Sequence, residues 1–152
     1  MPRFANDVGI LKTARKIEYN DKVQPIALAT ETPEGGSKCL LTGWGYTDQR
    51  RRNLPDKLQW LNVTVLSESE CKESFKKRGK SNLFSNKQIC TLNKNGEGTC
   101  QGDSGGMLVC QNKAAGIVSF NVPCARNYPD VYASVIKYLD WIKDKMDKNK
   151  DE

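Results

Sequence analysis

The sequence contains no histidine in 152 residues. That removes the commonest general base and the commonest nitrogen ligand for metals, so a hydrolytic mechanism needing imidazole must obtain it from outside this chain. No apolar run approaches the ~18–20 residues of a membrane-spanning helix, and there is no internal repeat or long low-complexity block. There is also no Cys-x-x-Cys pair, which together with the missing histidine argues against a zinc site. The opening stretch Met1-Pro2-Arg3-Phe4-Ala5-Asn6-Asp7 lacks the apolar segment of a secretory signal. Membrane-embedded and fibrous classes are set aside on these grounds.

What is present is the balance of a single soluble domain: 38% hydrophobic and 28% charged residues, with 24 basic against 18 acidic side chains for a net charge of +6. Six cysteines are an even and high number for this length, which implies a disulfide framework made in an oxidising compartment. Their spacing alone leaves fifteen pairings open. The cysteines conflict with the opening stretch, because a start at Met1 would leave the chain in the cytosol, where paired cysteines are rare. Either the thiols are free, or the true start of the protein lies elsewhere. Arg50-Arg51-Arg52 and the five basic residues between Lys72 and Lys80 supply most of the positive excess. With no aromatic interleaving they read as solvated faces, and nucleic acid and membrane are not expected as partners. Asn62-Val63-Thr64 is a glycosylation sequon placed in an expected strand, which disfavours its use.

Short apolar segments broken by turn signals predict an all-β chain. Strands are expected at Val8–Leu11, Val23–Leu28, Cys39–Gly45, Leu58–Leu66, Gln88–Leu92, Gly106–Cys110, Ala115–Phe120 and Val131–Ala133, within a total of about ten. Ser67, followed by the acidic residues Glu68 and Glu70, predicts a short capped helix. Val135, Leu139, Ile142 and Met146 recur at helical spacing and predict a terminal helix docked on the β core, with a frayed Lys/Asp tail. The fold expected is an antiparallel β-barrel closed by a C-terminal helix.

The segment with most chemical content is Gly98-Thr99-Cys100-Gln101-Gly102-Asp103-Ser104-Gly105-Gly106. A serine flanked by small residues can sit on a tight exposed turn with its hydroxyl free. Gly102 lets a backbone N–H face a developing oxyanion without obstruction. Gly-Asp-Ser-Gly-Gly arises by chance in roughly one chain of this length in several thousand.

From about Asn6 to about Met146 the chain resembles the chymotrypsin/trypsin family of serine endopeptidases (peptidase S1), in its C-terminal part, and in pattern it is nearest the invertebrate chymotrypsin-like members. Asn6-Asp7-Val8-Gly9-Ile10-Leu11, Thr42-Gly43-Trp44-Gly45 and Pro129-Asp130-Val131-Tyr132 are similar to family segments in order and spacing. The resemblance implies Ser104 as nucleophile, Asp7 as the triad carboxylate, and the N–H groups of Gly102 and Ser104 as oxyanion hole. It implies disulfides Cys39–Cys110, Cys71–Cys90 and Cys100–Cys124, each worth about 3–4 kcal/mol through restriction of the unfolded chain. Residues 1–27 then correspond to the last strand of a first barrel and a linker, 28–134 to the second barrel, and 135–152 to the helix and tail.

Two family features are not found among these residues: the histidine base, and the ammonium freed by zymogen cleavage that pairs with the carboxylate matched by Asp103. Without that partner Asp103 would be a buried unpaired charge, expected to drive a rearrangement that dismantles the oxyanion hole. The chain by itself is therefore expected to be inactive. Gly98, Thr99, Gln101, Ser119, Phe120, Asn121 and Asp130 match substrate-pocket positions. Gly98 stands where trypsin-like members carry an aspartate, Phe120 where a tryptophan is usual, and Asn121 and Asp130 where glycines are. The expectation is a preference for large apolar side chains, with basic ones tolerated through Asp130; cleavage only after alanine would instead indicate narrowing by Asn121. Asp130 has an equal claim to be a structural carboxylate held by nearby N–H groups. The implied partners are a peptide or protein substrate and a proteinaceous protease inhibitor, with no cofactor and no metal; the complete protein would be secreted as a zymogen. The alternative is a non-catalytic homologue serving as a binding or regulatory module.

Overall fold

A computed structural model describes residues 4–48, 53–121 and 124–149. Among them lie seven strands: β1 (Ala27–Leu28), β2 (Lys38–Gly43), β3 (Gln59–Thr64), β4 (Gln88–Thr91), β5 (Met107–Cys110), β6 (Lys113–Phe120) and β7 (Asp130–Ser134). Two helices accompany them, α1 (Glu68–Lys76) and α2 (Leu139–Lys148), with 3-10 turns at Ser81–Leu83 and Ile136–Tyr138.

The main path runs β3-β2-β5-β6-β7-β4 with antiparallel neighbours throughout, and β1 adds to β6 in parallel. Its two ends meet. Val65, just past β3, bridges Thr91 of β4, the Leu66 N–H donates to the Cys90 carbonyl at 2.9 Å, and the Leu92 N–H to the Thr64 carbonyl at 3.0 Å. These bonds close the path into a barrel and satisfy both edges. The fold is the all-β barrel with a terminal helix that the apolar pattern predicts.

Alternation sorts the side chains. In β2, Cys39 and Leu41 are buried while Lys38 and Leu40 face out, and the barrel interior is filled by Leu41, Val63, Val65, Ile89, Leu108, Val118 and Tyr132. β7 is buried at every position. Its Tyr132 points into the barrel, Val131 packs with Cys71, Phe75 and Phe120 beside α1, and Ala133 packs with Val135, Tyr138 and Ile142 near α2. A strand covered on both faces reads as a continuous apolar run, as Val131-Tyr132-Ala133 does. The Tyr132 hydroxyl is satisfied by Thr91 Oγ1 at 3.0 Å.

Ser67 caps α1 as its sequence predicts: its Oγ accepts the Glu70 N–H, and its own N–H donates to the Glu70 carboxylate at 2.8 Å. Cysteines pair as Cys39–Cys110, Cys71–Cys90 and Cys100–Cys124, which leaves none free.

Three expectations require correction. Val8–Leu11 is not a strand: the Val8 N–H turns back to the Asn6 carbonyl at 3.0 Å, and Leu11 is 97% exposed. A strand needs a ladder partner, and none of the described strands pairs with this segment. The count is seven strands rather than about ten among the described residues. The buried stripe of the terminal segment is Val135, Tyr138 and Ile142; Met146 is 51% exposed, because the apolar cluster ends at Ile142. The Arg50-Arg51-Arg52 run lies outside the described residues.

Candidate active site

Two stretches of β6 organise the site. The Gly105 N–H donates to the Val118 carbonyl at 2.9 Å, and the Val118 N–H to the Gly106 carbonyl at 2.8 Å, pinning the serine turn to the strand. The turn tightens further through the Gly106 N–H to the Asp103 carbonyl at 2.9 Å and the Asp103 N–H to the Cys100 carbonyl at 3.1 Å. Gly102 enters it at φ +97°, a conformation that excludes most side chains. Ser104 is exposed at the tip. Among the described residues its hydroxyl has no hydrogen-bond partner, and the N–H groups of Gly102 and Ser104 donate to no protein acceptor. A free hydroxyl thus lies in the same turn as two unspent backbone donors.

Ser119, the next residue along β6, donates its hydroxyl to Asp7 Oδ2 at 2.6 Å. Asp7 is held from its other side as well: the preceding Asn6 adopts φ +59° and donates its N–H to the Tyr138 hydroxyl at 3.1 Å. Adjacent residues of one strand therefore serve Ser104 and Asp7, although these lie far apart in sequence. Ser119, which the family resemblance matches to a pocket position, spends its hydroxyl on Asp7. Tyr138 gave no functional signal at all, since an aromatic in a helical stripe looks like core.

Asp103 is half-buried, and its carboxylate accepts the N–H groups of Gly45 at 2.8 Å and Cys100 at 2.9 Å. A Cβ at Gly43 or Gly45 would overlap it, which explains the glycines on either side of Trp44. Two N–H groups hold the carboxylate, and charge-assisted bonds of this kind are roughly twice as strong as neutral ones. Asp103 also lines a cavity of about 540 Å³ shared with Gly43, Gly45, Trp60, Gly98 and Arg126.

Asp130 lies at the start of β7 and is 4% exposed. Thr99, fully buried, donates its N–H to Asp130 Oδ2 at 2.9 Å and its hydroxyl to Oδ1 at 2.8 Å. Burial pushes the Asp130 carboxyl up to about 6, against the opposing pull of the Thr99 bonds; the Asp103 charge adds to the rise. Gly98 is bare because a Cβ there would come within 2.5 Å of Asp130 Oδ2. Asn121 donates from Nδ2 to the Thr99 carbonyl and to Thr99 Oγ1, both at 2.9 Å. Thr99, Asn121, Asp130 and Gly98 are thus gathered into one cluster. The Phe120 ring is elsewhere, stacked on Phe4 with centroids 4.4 Å apart and packed near Phe75. Gln101 is exposed, and its carbonyl accepts the Tyr46 N–H at 2.9 Å. Among the described residues no group of three or more His, Cys, Asp or Glu side chains is arranged to hold a metal ion.

The Trypsin family model matches residues 2–142. Trypsin II-P29 of Gallus gallus is 41% identical over 141 residues, covering 91% of this chain and 55% of that protein. Kallikrein-5 of Homo sapiens is 37% identical (97% of this chain, 50% of that protein), and Chymotrypsin-2 of Vespa crabro is 39% identical (93% and 62%). Among solved structures, neuropsin, a serine protease of mouse brain, superposes with a TM-score of 0.79 at 36% identity, covering 88% of this chain and 58% of its own. The chain spans about half the length of the curated relatives it matches. With its barrel, its three disulfides and its serine turn in one frame, the chain belongs to the trypsin family of serine-protease folds, peptidase S1.

Proposed function

We propose that this chain is the nucleophile-bearing part of a secreted serine endopeptidase that hydrolyses peptide bonds through an acyl-enzyme on Ser104. The observation that carries the reading is the uncommitted Ser104 hydroxyl in a turn whose Gly102 and Ser104 N–H groups are also uncommitted. As Ser104 Oγ attacks the peptide carbonyl, its proton passes to an imidazole supplied from outside these 152 residues. The carbonyl oxygen gains negative charge, which the Gly102 and Ser104 N–H groups hold. Asp7, fixed by Ser119 and by the Asn6–Tyr138 contact, orients that imidazole and stabilises its cationic form. The proton then returns to the leaving amine, the amine departs, and water repeats the sequence on the ester. In this reading Asp103 is the acceptor for the ammonium of an activated N-terminus, entering by the 540 Å³ cavity. Residues 1–27 are the end of a first barrel with its linker, 28–134 the second barrel, and 135–152 its helix and tail. Substrates are peptides and proteins, and a protein inhibitor would occupy the same turn. No helix of the described residues is long and apolar enough to cross a membrane.

The test is hydrolysis of a peptide ester by the complete protein, beside Ser104→Ala and beside the 152-residue chain. Turnover is expected in the first alone, together with labelling of Ser104 by a phosphonofluoridate. Turnover that survives Ser104→Ala, or turnover by the 152-residue chain, overturns the mechanism. A complete protein that neither turns over nor labels would instead be a non-catalytic binding module.

A further inference from the structure

We infer that Asn62 is a site of N-glycosylation: β3 presents its side-chain amide to solvent on the outer face of the barrel, with no bond of the fold depending on it. This site lies beyond the protease reading and shares with it only the secretory route.

Asn62-Val63-Thr64 is the one Asn-x-Ser/Thr tripeptide in the 152 residues. The expected strand is present, yet it does not hide the asparagine, because successive side chains of a strand point to opposite faces. Val63 is 1% exposed and belongs to the barrel core, and Leu61 packs against the same cluster. Asn62 and Thr64 therefore face outward together, and Asn62 is exposed. Leu40, opposite Asn62 in the ladder, is itself 36% exposed, so the neighbouring strand leaves this face open as well.

Hydrogen bonding separates what β3 needs from what a sugar would take. Asn93 clamps the strand: its Nδ2 donates to the Asn62 carbonyl at 2.8 Å, and its Oδ1 accepts the Thr64 N–H at 3.0 Å. Asn93 Nδ2 also donates to Glu97 Oε2 at 3.2 Å, so both protons of that amide are spent. The backbone at Asn62 is thus fixed by contacts that leave out its own side chain. Among the described residues the Asn62 amide has no hydrogen-bond partner, so exchanging one of its protons for a sugar strands no buried group. The three disulfides, with no cysteine left free, point to the oxidising compartment in which secreted chains receive such sugars.

The donor is an oligosaccharide carried on a polyprenyl diphosphate. Asn62 Nδ2 attacks its anomeric carbon, a C–N bond forms, and the C–O bond to the diphosphate breaks. The diphosphate leaves with the electron pair, and one Nδ2 proton passes to a base of the transferase. The transfer precedes folding and needs only the tripeptide in an extended chain. The folded strand then decides whether the sugar can stay in water, and the outward turn of Asn62 keeps it there.

The experiment uses the complete protein secreted from a mammalian cell line. It is reduced, treated with peptide N-glycosidase, cut with trypsin, and the peptide 58–72 is read by mass spectrometry. In wild type residue 62 is expected to be converted from a glycosylated asparagine to an aspartate. Asn62→Gln and Thr64→Ala should each remove one glycan, seen as a downward step on a denaturing gel, whereas Thr64→Ser, which keeps the hydroxyl, should retain it. The wild-type measurement depends on no variant folding, and cell extracts analysed beside the medium cover a variant that is not secreted. Secreted, disulfide-bonded protein with an unmodified Asn62 overturns the assignment and leaves the protease reading standing. A sugar on peptide 58–72 that survives Thr64→Ala overturns it too. A sugar at Asn62 on a protein that fails to label at Ser104 supports this site and sinks the protease reading alone.

Discussion

The buried Asp130 makes this chain's stability depend on pH with a sign opposite to that of most paired carboxylates. Its folded pKa of about 6 lies above the ordinary value of 3.8, so between those values the folded state binds more protons than the unfolded one. Stability then falls as pH rises through this window and levels off above it. At 1.36 kcal/mol per pKa unit the full penalty is about 3 kcal/mol, of which about half develops between roughly pH 5 and pH 7.5. Asp130→Asn removes the titration while keeping the shape: the Thr99 N–H can still donate to a side-chain carbonyl. The exposed carboxylates below their ordinary range act in a different window. Glu68 is lowered by Lys72, Glu70 by Ser67, Glu97 by Lys94 and Asp144 by Lys148, so what they contribute is lost only as pH falls below about 4.5. Urea unfolding of wild type and Asp130→Asn at about pH 5, 6 and 7.5 isolates the effect as a difference of slopes. Wild type should lose about 1–2 kcal/mol relative to the variant across that range. Parallel slopes would refute the reasoning. A wild type that gains on the variant as pH rises would mean that the Thr99 bonds outweigh burial and that the sign is wrong.

Two further outcomes concern contacts of the fold. Ser67→Ala removes the reciprocal cap of α1 and should lower stability by about 1 kcal/mol in urea, with the unfolding slope unchanged. Tyr132→Phe strands the buried Thr91 hydroxyl and should cost about 1–3 kcal/mol, whereas the double change with Thr91→Val, which removes both partners of the 3.0 Å bond, should recover much of that loss in thermal unfolding.

The strands were legible where one physical signal governed them. β2, β6 and β7 follow from alternation or from continuous burial, and α1 from a capping serine followed by acidic residues, all of which are local in sequence. Val8–Leu11 shows the limit of such reasoning. Its apolar content is that of a strand, but a strand is a relation between two segments, and composition reports on one. Met146 misled for a related reason: helical spacing predicts a face without saying how far the surface beneath it extends, and here that surface ends at Ile142.

The same division runs through the site. Ser104, Gly102 and Asp103 form a contiguous motif whose turn is made largely by its own backbone, so its sequence announces it. Asp7 could be named only through the family resemblance, because what holds it is Ser119, 112 residues away, and the turn before it hangs on Tyr138, 132 residues from Asn6. Neither distant residue carries a chemical signature, since a serine in a strand and a tyrosine in an apolar stripe are ordinary. Charge alone does not report how Asp103 is held: two backbone N–H groups hold it, and glycines at 43 and 45 clear the space in which they do so. Asp130 is held differently: Thr99 supplies the donors, burial raises the pKa, and Asn121 bonds Thr99 in turn. The sequence of each carboxylate's neighbours was open to reading. Which atoms those neighbours would offer was decided by the backbone path between residues 98 and 103, where a buried threonine and a disulfide at Cys100 bring both anions to opposite ends of one loop.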